Sequence, residues 1–237
     1  MLKLSRLPSG EPEIFRSIQG EGASTGAPCV FVRLATCNLA CTWCDTKYTW
    51  DWQRYDIRRE TIDLPADDVQ QRVLALGPDV SRVVVTGGEP LLQQDALAPL
   101  VAALTGKGIP CEVETNGTVA PSAGMAAAVA QWNVSPKLAN SGNAASRREV
   151  PKALAAFAAL PNAYAKFVIV QPADVDEACA LAERHGFPRE RVILMPEGMT
   201  PDVLLQRGEW LAEACAQRGL RFSTRLHILT WGNARGR

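Results

Sequence analysis

The sequence predicts an α/β protein built as a partial, open (β/α)6 TIM-like barrel. Two observations support this fold class. Six short runs rich in β-branched and other apolar residues alternate with helical patterns from residue 28 onward. Alternating strands and crossover helices give a parallel sheet with right-handed connections, and six such units are too few to close an eight-stranded barrel. Ligands of such sheets bind at the carboxyl ends of the strands.

The six predicted strands are 29–35, 82–87, 111–115, 132–135, 165–170 and 191–195. Between them, apolar residues recur at helical spacing over 97–104 and 175–182, which predicts helices whose apolar sides lie on the sheet. Asp174 with Glu177 indicates a capping pair at one helix start. Thr200, which precedes a proline, predicts an N-cap at another.

The composition favours one domain that acts on a small molecule. With 237 residues and 47% apolar content, the chain can bury a large core, and we expect a single domain over 1–237 with an N-terminal extension at 1–27 and a C-terminal tail at 220–237. Lys plus Arg equals Asp plus Glu at 25 each, which does not favour a nucleic-acid or membrane partner. Neither a signal peptide nor a bilayer-spanning run is visible, so we expect a cytoplasmic protein.

Three of the seven cysteines form the sharpest motif, a C-x3-C-x2-C run at Cys37, Cys41 and Cys44 just after the first predicted strand. Three thiolates on one loop can hold three irons of a cubane cluster and leave the fourth iron open to a small molecule. A structural zinc site would need a fourth ligand, and Cys29 lies inside a strand. The odd number of cysteines argues against a disulfide framework. We expect the polar and aromatic segment 45–65, which shows no regular pattern, to cover the cysteine side of the site.

Polar residues also follow four later strands of the predicted sheet. These segments are Thr86–Pro90, Glu114–Gly117, Ser135–Lys137 and Gln171–Asp174. Each one alone is most simply a turn or a helix cap, since Gly, Asn, Asp and Pro favour such positions. Because the carboxyl ends of parallel strands share one edge, we expect the four segments to converge on one mouth.

The position of the cysteine run after the first strand resembles the radical S-adenosylmethionine superfamily. Several segments narrow the resemblance, over essentially the whole chain, to the 7-carboxy-7-deazaguanine synthase family: EIFRSIQGEG at 13–22, Arg33, CDT at 44–46, TGGEP at 86–90, ETNG at 114–117, SPK at 135–137 and LHILTWG at 226–232. The resemblance implies a radical-enzyme barrel that holds a [4Fe-4S] cluster and S-adenosylmethionine. It further implies conversion of 6-carboxy-5,6,7,8-tetrahydropterin into 7-carboxy-7-deazaguanine and ammonia, a step toward queuosine, with S-adenosylmethionine regenerated.

The resemblance also implies roles for particular residues. Cys37, Cys41 and Cys44 would bind the cluster and Thr46 a Mg²⁺ ion. S-adenosylmethionine would be held by Gly88, Glu89, Glu114, Ser135, Pro136, Lys137, Gln171, Pro172, Ala173 and Asp174. The substrate would be held by Ile18, Gln19 and Gly20 through backbone groups, by Arg33 and by Thr86. An external electron donor such as flavodoxin and a homodimer are implied as well.

Other interpretations stay open at this point. Arg33 and Lys137 could be solvated charges on the surface. We expect His185 at an exposed helix end, and the sequence does not place His227 relative to the substrate. Two other functions share the cysteine run: an activase for a glycyl-radical protein, which has no need of the QGEG segment, and a non-catalytic zinc or iron-sulfur module, which leaves the polar strand ends unexplained. A cluster that only transfers electrons usually has all its irons ligated by protein.

Overall fold

The computed structural model describes residues 1–77 and 79–237 of the chain. In this part, ten strands form one sheet. They are β1 (Leu2–Ser5), β2 (Ile14–Ile18), β3 (Pro28–Leu34), β4 (Thr61–Leu64), β5 (Val83–Gly87), β6 (Cys111–Thr115), β7 (Gln131–Val134), β8 (Ala163–Ile169), β9 (Val192–Pro196) and β10 (Arg221–Phe222). The α-helices are α1 (Ile57–Glu60), α2 (Ala66–Ala75), α3 (Gln94–Thr105), α4 (Ala123–Ala128), α5 (Ala145–Arg148), α6 (Pro151–Ala158), α7 (Ala173–His185), α8 (Pro201–Arg218) and α9 (Leu226–Trp231).

The sheet confirms the predicted open barrel. Its strand order is β10-β9-β8-β7-β6-β5-β3-β1-β4, and β2 pairs with β3 beside that path. The six predicted strands are β3 and β5 to β9, all parallel to their neighbours in this series. The two ends of the path, β4 and β10, do not pair with each other, so the barrel is not closed.

Residues 1–27 extend this sheet. β1 and β2 both run antiparallel to β3, and β1 also pairs with β4. β2 ends at Ile18, so the QGEG segment emerges beside the strand that leads into the cysteine loop. The tail is anchored as well, because the backbone N–H of Leu226 donates to the carbonyl of Gly20 at 2.9 Å.

The two faces of the parallel strands have different chemistry because successive side chains point to opposite faces. On the outer face, residues such as Val83, Val85 and Val113 are fully buried in the main apolar core, together with residues of α3, α6 and α7. On the inner face, Phe31 and Val84 belong to a separate small apolar cluster, and polar side chains follow them along the strands. The inner face therefore supplies the wall of a site.

Two expectations about local structure need correction. Segment 45–65 contains regular elements, α1 and β4, because Thr61–Leu64 pairs with β1 at the sheet edge. Asp174 is not the N-cap of α7: it lies inside the first turn, and its carboxylate accepts from the backbone N–H groups of Val170 at 2.8 Å and Gln171 at 3.0 Å. The expected N-cap at Thr200 is confirmed, since its hydroxyl accepts from the N–H of Val203.

His185 also differs from the expectation of an exposed helix end. It is the last residue of α7, but only 9% of it is exposed, and its Nε2 lies 2.9 Å from Oε1 of Glu149. Among the described residues, no helix is both long enough and apolar enough to span a bilayer.

Candidate active site

A cavity of about 320 Å³ lies at the carboxyl ends of the parallel strands. Its wall includes most of the residues that the sequence singled out. They are Ile18, Gln19, Arg33, Cys37, Cys41, Cys44, Thr46, Thr86, Gly88, Glu114, Ser135 and Lys137. The predicted convergence of the strand ends is therefore realised for the first three polar segments and for the N-terminal segment.

The remaining singled-out residues lie outside this wall. They are Gly20, Glu89, Pro136, Gln171, Pro172, Ala173 and Asp174. Gln171, Pro172 and Ala173 are exposed to solvent. The carboxylate of Asp174 instead accepts from the side-chain amide of Asn140 at 2.7 Å.

The cysteine loop starts with a left-handed residue, Thr36 at φ 74°. This conformation is uncommon outside glycine, and here two backbone N–H groups that follow β5 hold it in place. The N–H of Gly88 donates to the carbonyl of Leu34 at 3.0 Å, and the N–H of Glu89 donates to the carbonyl of Thr36 at 2.8 Å. A Cβ on Gly88 would lie 1.8 Å from the Thr36 oxygen, so only glycine fits.

Glu89 has a different environment from the one expected. We expected Glu89 to help hold S-adenosylmethionine, and its side chain is fully buried behind the wall. It accepts from the N–H of Leu91 at 3.0 Å, the hydroxyl of Thr115 at 2.8 Å and the N–H of Asn116 at 2.6 Å. Its role in this structure is to fasten the turn after β5 to the end of β6.

The three cysteines of the run line the cavity together. Cys41 is 7% exposed, and Cys37 and Cys44 are partly buried. Burial raises the pKa of the Cys37 thiol to about 12, and burial raises the pKa of Cys41 as well. Three soft sulfur donors on one loop suit an iron-sulfur cluster.

Within residues 1–77 and 79–237, no three His, Cys, Asp or Glu side chains are arranged to hold a single metal ion. Thr46 contributes only a hydroxyl, 3.6 Å from the sulfur of Cys44. The fourth candidate thiol, Cys29, is buried in β3 within the small inner apolar cluster.

Lys137 lines the cavity next to the cysteine loop. Its Nζ donates to the hydroxyl of Ser135 at 2.8 Å and lies 5.6 Å from the ring centroid of Trp43. Trp43 in turn donates from Nε1 to the side chain of Asn140 at 3.2 Å. Lys137 is thus a cation on the cavity wall and not a solvated surface charge.

Arg33 lines the same cavity. Its Nε donates to Glu13 at 2.8 Å, and the hydroxyl of Tyr48 donates to the same carboxylate at 3.2 Å. Burial disfavours the charged guanidinium, but Tyr48 and Glu13 outweigh burial and raise the pKa of Arg33. Because Glu13 occupies Nε, the terminal nitrogens of Arg33 remain to meet an anion.

Glu114 lies on the inner face of β6 beside residues expected to hold substrate. Its carboxylate accepts from the hydroxyl of Thr86 at 2.6 Å and from the side-chain amide of Gln19 at 3.3 Å. The resemblance assigns Glu114 to S-adenosylmethionine, and in the structure its hydrogen-bond partners are Thr86 and Gln19. The reason is strand alternation, which puts Glu114 on the inner face and Thr115 against Glu89.

Fewer backbone N–H and carbonyl groups of the N-terminal segment are available to bind substrate than the resemblance implies. Gln19 donates its N–H to the carbonyl of Ala27 at 2.8 Å and accepts at its own carbonyl from Gly26 at 2.7 Å. Gly20 lies beneath His227, and a Cβ at this glycine would lie 2.1 Å from Nδ1 of the imidazole. His227 itself lines the cavity, and burial lowers its pKa, so the ring is neutral at pH 7.

A buried group of charges that the motifs did not reveal crosses the inner face. Glu21 binds Lys166 and accepts from Nε of Arg225 at 2.9 Å, and Arg225 also donates to Asp45. Burial disfavours the carboxylate of Glu21, but Lys166 and Arg225 outweigh burial and hold its pKa well below the usual range. The signal that could have found Lys166 is its position in an otherwise apolar strand, where a charge must point inward and be paired.

Three comparisons agree with this geometry. Residues 32–139 match the Radical SAM superfamily. A curated 7-carboxy-7-deazaguanine synthase from Pyrobaculum aerophilum is 41% identical over 229 residues, which cover 95% of this chain and 96% of that protein. The crystal structure of QueE from Escherichia coli has a TM-score of 0.68 and 25% identity and covers 95% of this chain and 94% of its own.

A second structure, native anSMEcpe with bound AdoMet, shares the fold, with a TM-score of 0.56, 16% identity and coverage of 85% of this chain and 67% of its own. Membership in the superfamily implies a [4Fe-4S] cluster and S-adenosylmethionine, and three soft cysteine sulfurs on the wall of one cavity fit that pair. From the full-length match and the shared fold, the chain belongs to the 7-carboxy-7-deazaguanine synthase family of the radical S-adenosylmethionine superfamily.

Proposed function

We propose that this protein converts 6-carboxy-5,6,7,8-tetrahydropterin into 7-carboxy-7-deazaguanine with release of ammonia, in the route to queuosine and other 7-deazapurines. The observation that supports the proposal is one cavity whose wall combines the three cysteines with polar and charged side chains. Arg33 and the hydrogen-bonded pair Thr86–Glu114 line the same cavity as the cysteines. A cofactor held by the cysteines would therefore share the cavity with a polar, carboxylated ring.

Cys37, Cys41 and Cys44 would hold the cluster, which together with S-adenosylmethionine supplies the radical that abstracts hydrogen from the substrate. The chain's own contribution is to orient both molecules and to exclude water. Gly88 presents backbone at close range, and Ser135 and Lys137 add a hydroxyl and a cation on the same side of the cavity. We assign these residues to S-adenosylmethionine.

In this proposal, the residues assigned to S-adenosylmethionine that do not line the cavity support its binding surface from behind or at the rim. They are Pro136, Glu89 and the segment Gln171–Asp174. The carboxylate of Asp174 fixes Asn140, and Asn140 accepts from the indole of Trp43 in the cysteine loop. Residues at the rim can still contact the adenosine part of bound S-adenosylmethionine. We therefore keep them assigned to this cofactor.

Arg33 would bind the substrate carboxylate, because a guanidinium oriented through Nε leaves two parallel donors for a carboxylate. Thr86 and Glu114 would accept from N–H groups of the pterin ring. Ile18, Gln19 and Gly20 would shape the adjoining wall, where the carbonyl of Gly20 and both backbone groups of Gln19 already have partners.

We propose that Mg²⁺ binds at Thr46. A hard cation takes oxygen ligands. The Thr46 hydroxyl on the cavity wall is the one protein ligand that we propose. The neighbouring Asp45 is paired with Arg225 and is not assigned to the metal. The substrate carboxylate and water would complete the coordination, so removal of Mg²⁺ should weaken substrate binding more than cofactor binding.

An external one-electron donor such as flavodoxin would reduce the cluster in the cytoplasm. Ala40 and Thr42 in the cysteine loop are exposed, so a protein donor can approach the cluster from this side. We also propose a homodimer, which light scattering coupled to size exclusion would test. A monomer at micromolar concentration would refute that part.

The direct test is an anaerobic assay of reconstituted protein with reductant, S-adenosylmethionine, Mg²⁺ and 6-carboxytetrahydropterin, with the product followed by mass spectrometry. We expect 7-carboxy-7-deazaguanine from the wild type and none from Cys41→Ala. Cys179→Ala is the matched control, because Cys179 packs on the outer core and does not line the cavity. It should retain both cluster and product.

Cleavage of S-adenosylmethionine without this product would leave the radical chemistry standing and refute the substrate. Transfer of a radical to a polypeptide glycine under the same conditions would favour the activase alternative. A stable cluster without any cleavage would favour the non-catalytic module.

A further inference from the structure

Two of the cysteine sulfurs each accept a hydrogen bond from a side-chain N–H group outside the cysteine run. Nε1 of Trp50 donates to Sγ of Cys44 at 3.3 Å. Nδ2 of Asn143 donates to Sγ of Cys41 at 3.4 Å. Neither Trp50 nor Asn143 belongs to the C-x3-C-x2-C run or to the polar strand-end segments found in the sequence.

The orientation of the Asn143 amide is fixed by a second contact. The backbone N–H of Ala40 donates to Oδ1 of Asn143 at 3.0 Å. A backbone N–H can only donate, so the atom that faces Ala40 must be the oxygen and the atom that faces Cys41 must be the NH₂ group. Asn143 therefore spans the cysteine loop and presents a donor to the sulfur.

A third amide faces the remaining cysteine at longer range. Nδ2 of Asn116 lies 3.9 Å from Sγ of Cys37. Oδ1 of Asn116 accepts from the N–H of Thr118 at 2.9 Å, which fixes its orientation in the same way. Each of the three sulfurs thus has an N–H donor, and the two shorter contacts come from Trp50 and Asn143.

We propose that Trp50 and Asn143 raise the reduction potential of the cluster by hydrogen bonding to its cysteine sulfurs, with Asn116 as a third and weaker donor; this rests on the proposed ligation of the cluster by Cys37, Cys41 and Cys44. Reduction adds negative charge that spreads onto the sulfurs. An N–H dipole directed at a thiolate stabilises this charge more in the reduced than in the oxidised state.

The test is the midpoint potential of the reconstituted holoenzyme, measured by a redox titration followed by electron paramagnetic resonance without S-adenosylmethionine or substrate. Trp50→Phe removes the N–H and keeps an aromatic ring, and we expect a shift to more negative potential. Trp43→Phe is the matched control: it makes the same change at the residue next to Cys44, but Nε1 of Trp43 donates to Asn140. We expect Trp43→Phe to keep the wild-type potential.

Asn143→Asp supplies a second, independent variant. It keeps an oxygen for the N–H of Ala40 and replaces the donor that faces Cys41 by a carboxylate oxygen. The lost donor and the added charge both act in the same direction, so we expect a larger negative shift than in the uncharged Trp50→Phe. Iron and sulfide contents, measured for every variant, show that the clusters compared are equally loaded. If one variant loses iron, the other still carries the test.

Wild-type potentials in both Trp50→Phe and Asn143→Asp would overturn the proposal, and so would an equal shift in Trp43→Phe. Loss of iron from both variants would also overturn it, because it would show a role in cluster assembly and not in tuning. A wild-type protein that cannot be loaded with a cluster would instead refute the proposed function itself. The two failures are therefore distinguishable.

Discussion

Glu13 accepts a hydrogen bond from Nε of Arg33 at 2.8 Å, across a pairing of the N-terminal segment with the first strand of the parallel sheet. Glu13 is fully buried and also accepts from Nε of Arg235 at 3.1 Å. One carboxylate therefore orients a cavity guanidinium and ties the tail to the N-terminal segment. Arg33 is consequently held in place before any substrate arrives.

Arg33→Lys should weaken substrate binding because it keeps the charge and loses the planar pair of donors. Loss of charged hydrogen bonds costs about 1.5–3 kcal/mol, so we expect KM for the substrate to rise about 10- to 100-fold. The dissociation constant for S-adenosylmethionine should stay unchanged. Steady-state kinetics and calorimetry measure the two quantities.

Arg82→Lys is the matched control for this substitution. Arg82 also pairs with a buried carboxylate, that of Glu112 at 3.0 Å, but it does not line the cavity. Its KM should remain near the wild-type value. An unchanged KM in Arg33→Lys would remove Arg33 from substrate recognition.

Glu21→Gln should destabilise the fold, because it leaves Lys166 and Arg225 without their shared counter-charge. Breaking a buried ion pair from one side costs about 3–5 kcal/mol in the free energy of unfolding. The folded-state pKa of Glu21 is lowered, and burial of Lys166 is outweighed by Glu21 and Glu114, which raise its pKa. The stabilisation is therefore fully present between about pH 5 and 10 and is lost as the pH falls through the folded pKa of Glu21.

Urea denaturation at pH 7 and at decreasing pH checks this prediction: the difference between wild type and Glu21→Gln should be largest near neutrality and shrink in acid. Asp63→Asn is the control, since its partner Lys3 lies at the surface and the Asp63 side chain is 52% exposed. We expect a change of at most about 1 kcal/mol there. A pH-independent difference for Glu21→Gln would contradict the electrostatic explanation.

Gly88→Ala should disrupt the cysteine loop. The new Cβ would lie 1.8 Å from the backbone oxygen of Thr36, so the loop must move, at a cost of about 3 kcal/mol and with loss of bound iron after reconstitution. Gly124→Ala is the matched control, because a Cβ at this position in α4 meets nothing within 4 Å. It should stabilise the protein by about 0.5–1 kcal/mol. Thermal unfolding and iron analysis of both variants test this prediction. A Gly88→Ala variant that binds the wild-type amount of iron would show that the contact with Thr36 is unimportant.

Gly20→Ala should act through His227, because the added methyl group would occupy the place of the imidazole. We expect KM for the substrate to rise in Gly20→Ala and in His227→Ala, and the double variant to be no worse than His227→Ala alone. Such coupling between contacting residues exceeds about 0.5 kcal/mol in a double-mutant cycle. Additive effects on KM would mean that the glycine acts independently of His227.

The sequence by itself determined the parallel fold and the cluster loop, because both depend on local patterns. The apolar runs of β3 and β5 to β9 repeat along the chain, and three cysteines within eight residues need no distant partner to be recognised. Gly88 and Arg33 were found for the same reason, since each lies within or next to a motif at a strand end.

Only the tertiary structure decided which side chains meet. Lys166 and Arg225 converge on Glu21 from segments separated by 145 and 204 residues, and Trp50 and Asn143 reach the cysteine sulfurs from outside the motif. Such contacts depend on strand order and on which face each residue occupies, and no local pattern encodes either. Glu89 also shows that a local motif does not reveal the partners of a side chain. Its motif predicted a ligand contact, but three donors of the protein itself surround its carboxylate. The physical reason is that a buried carboxylate must be satisfied by whichever donors the fold brings to it.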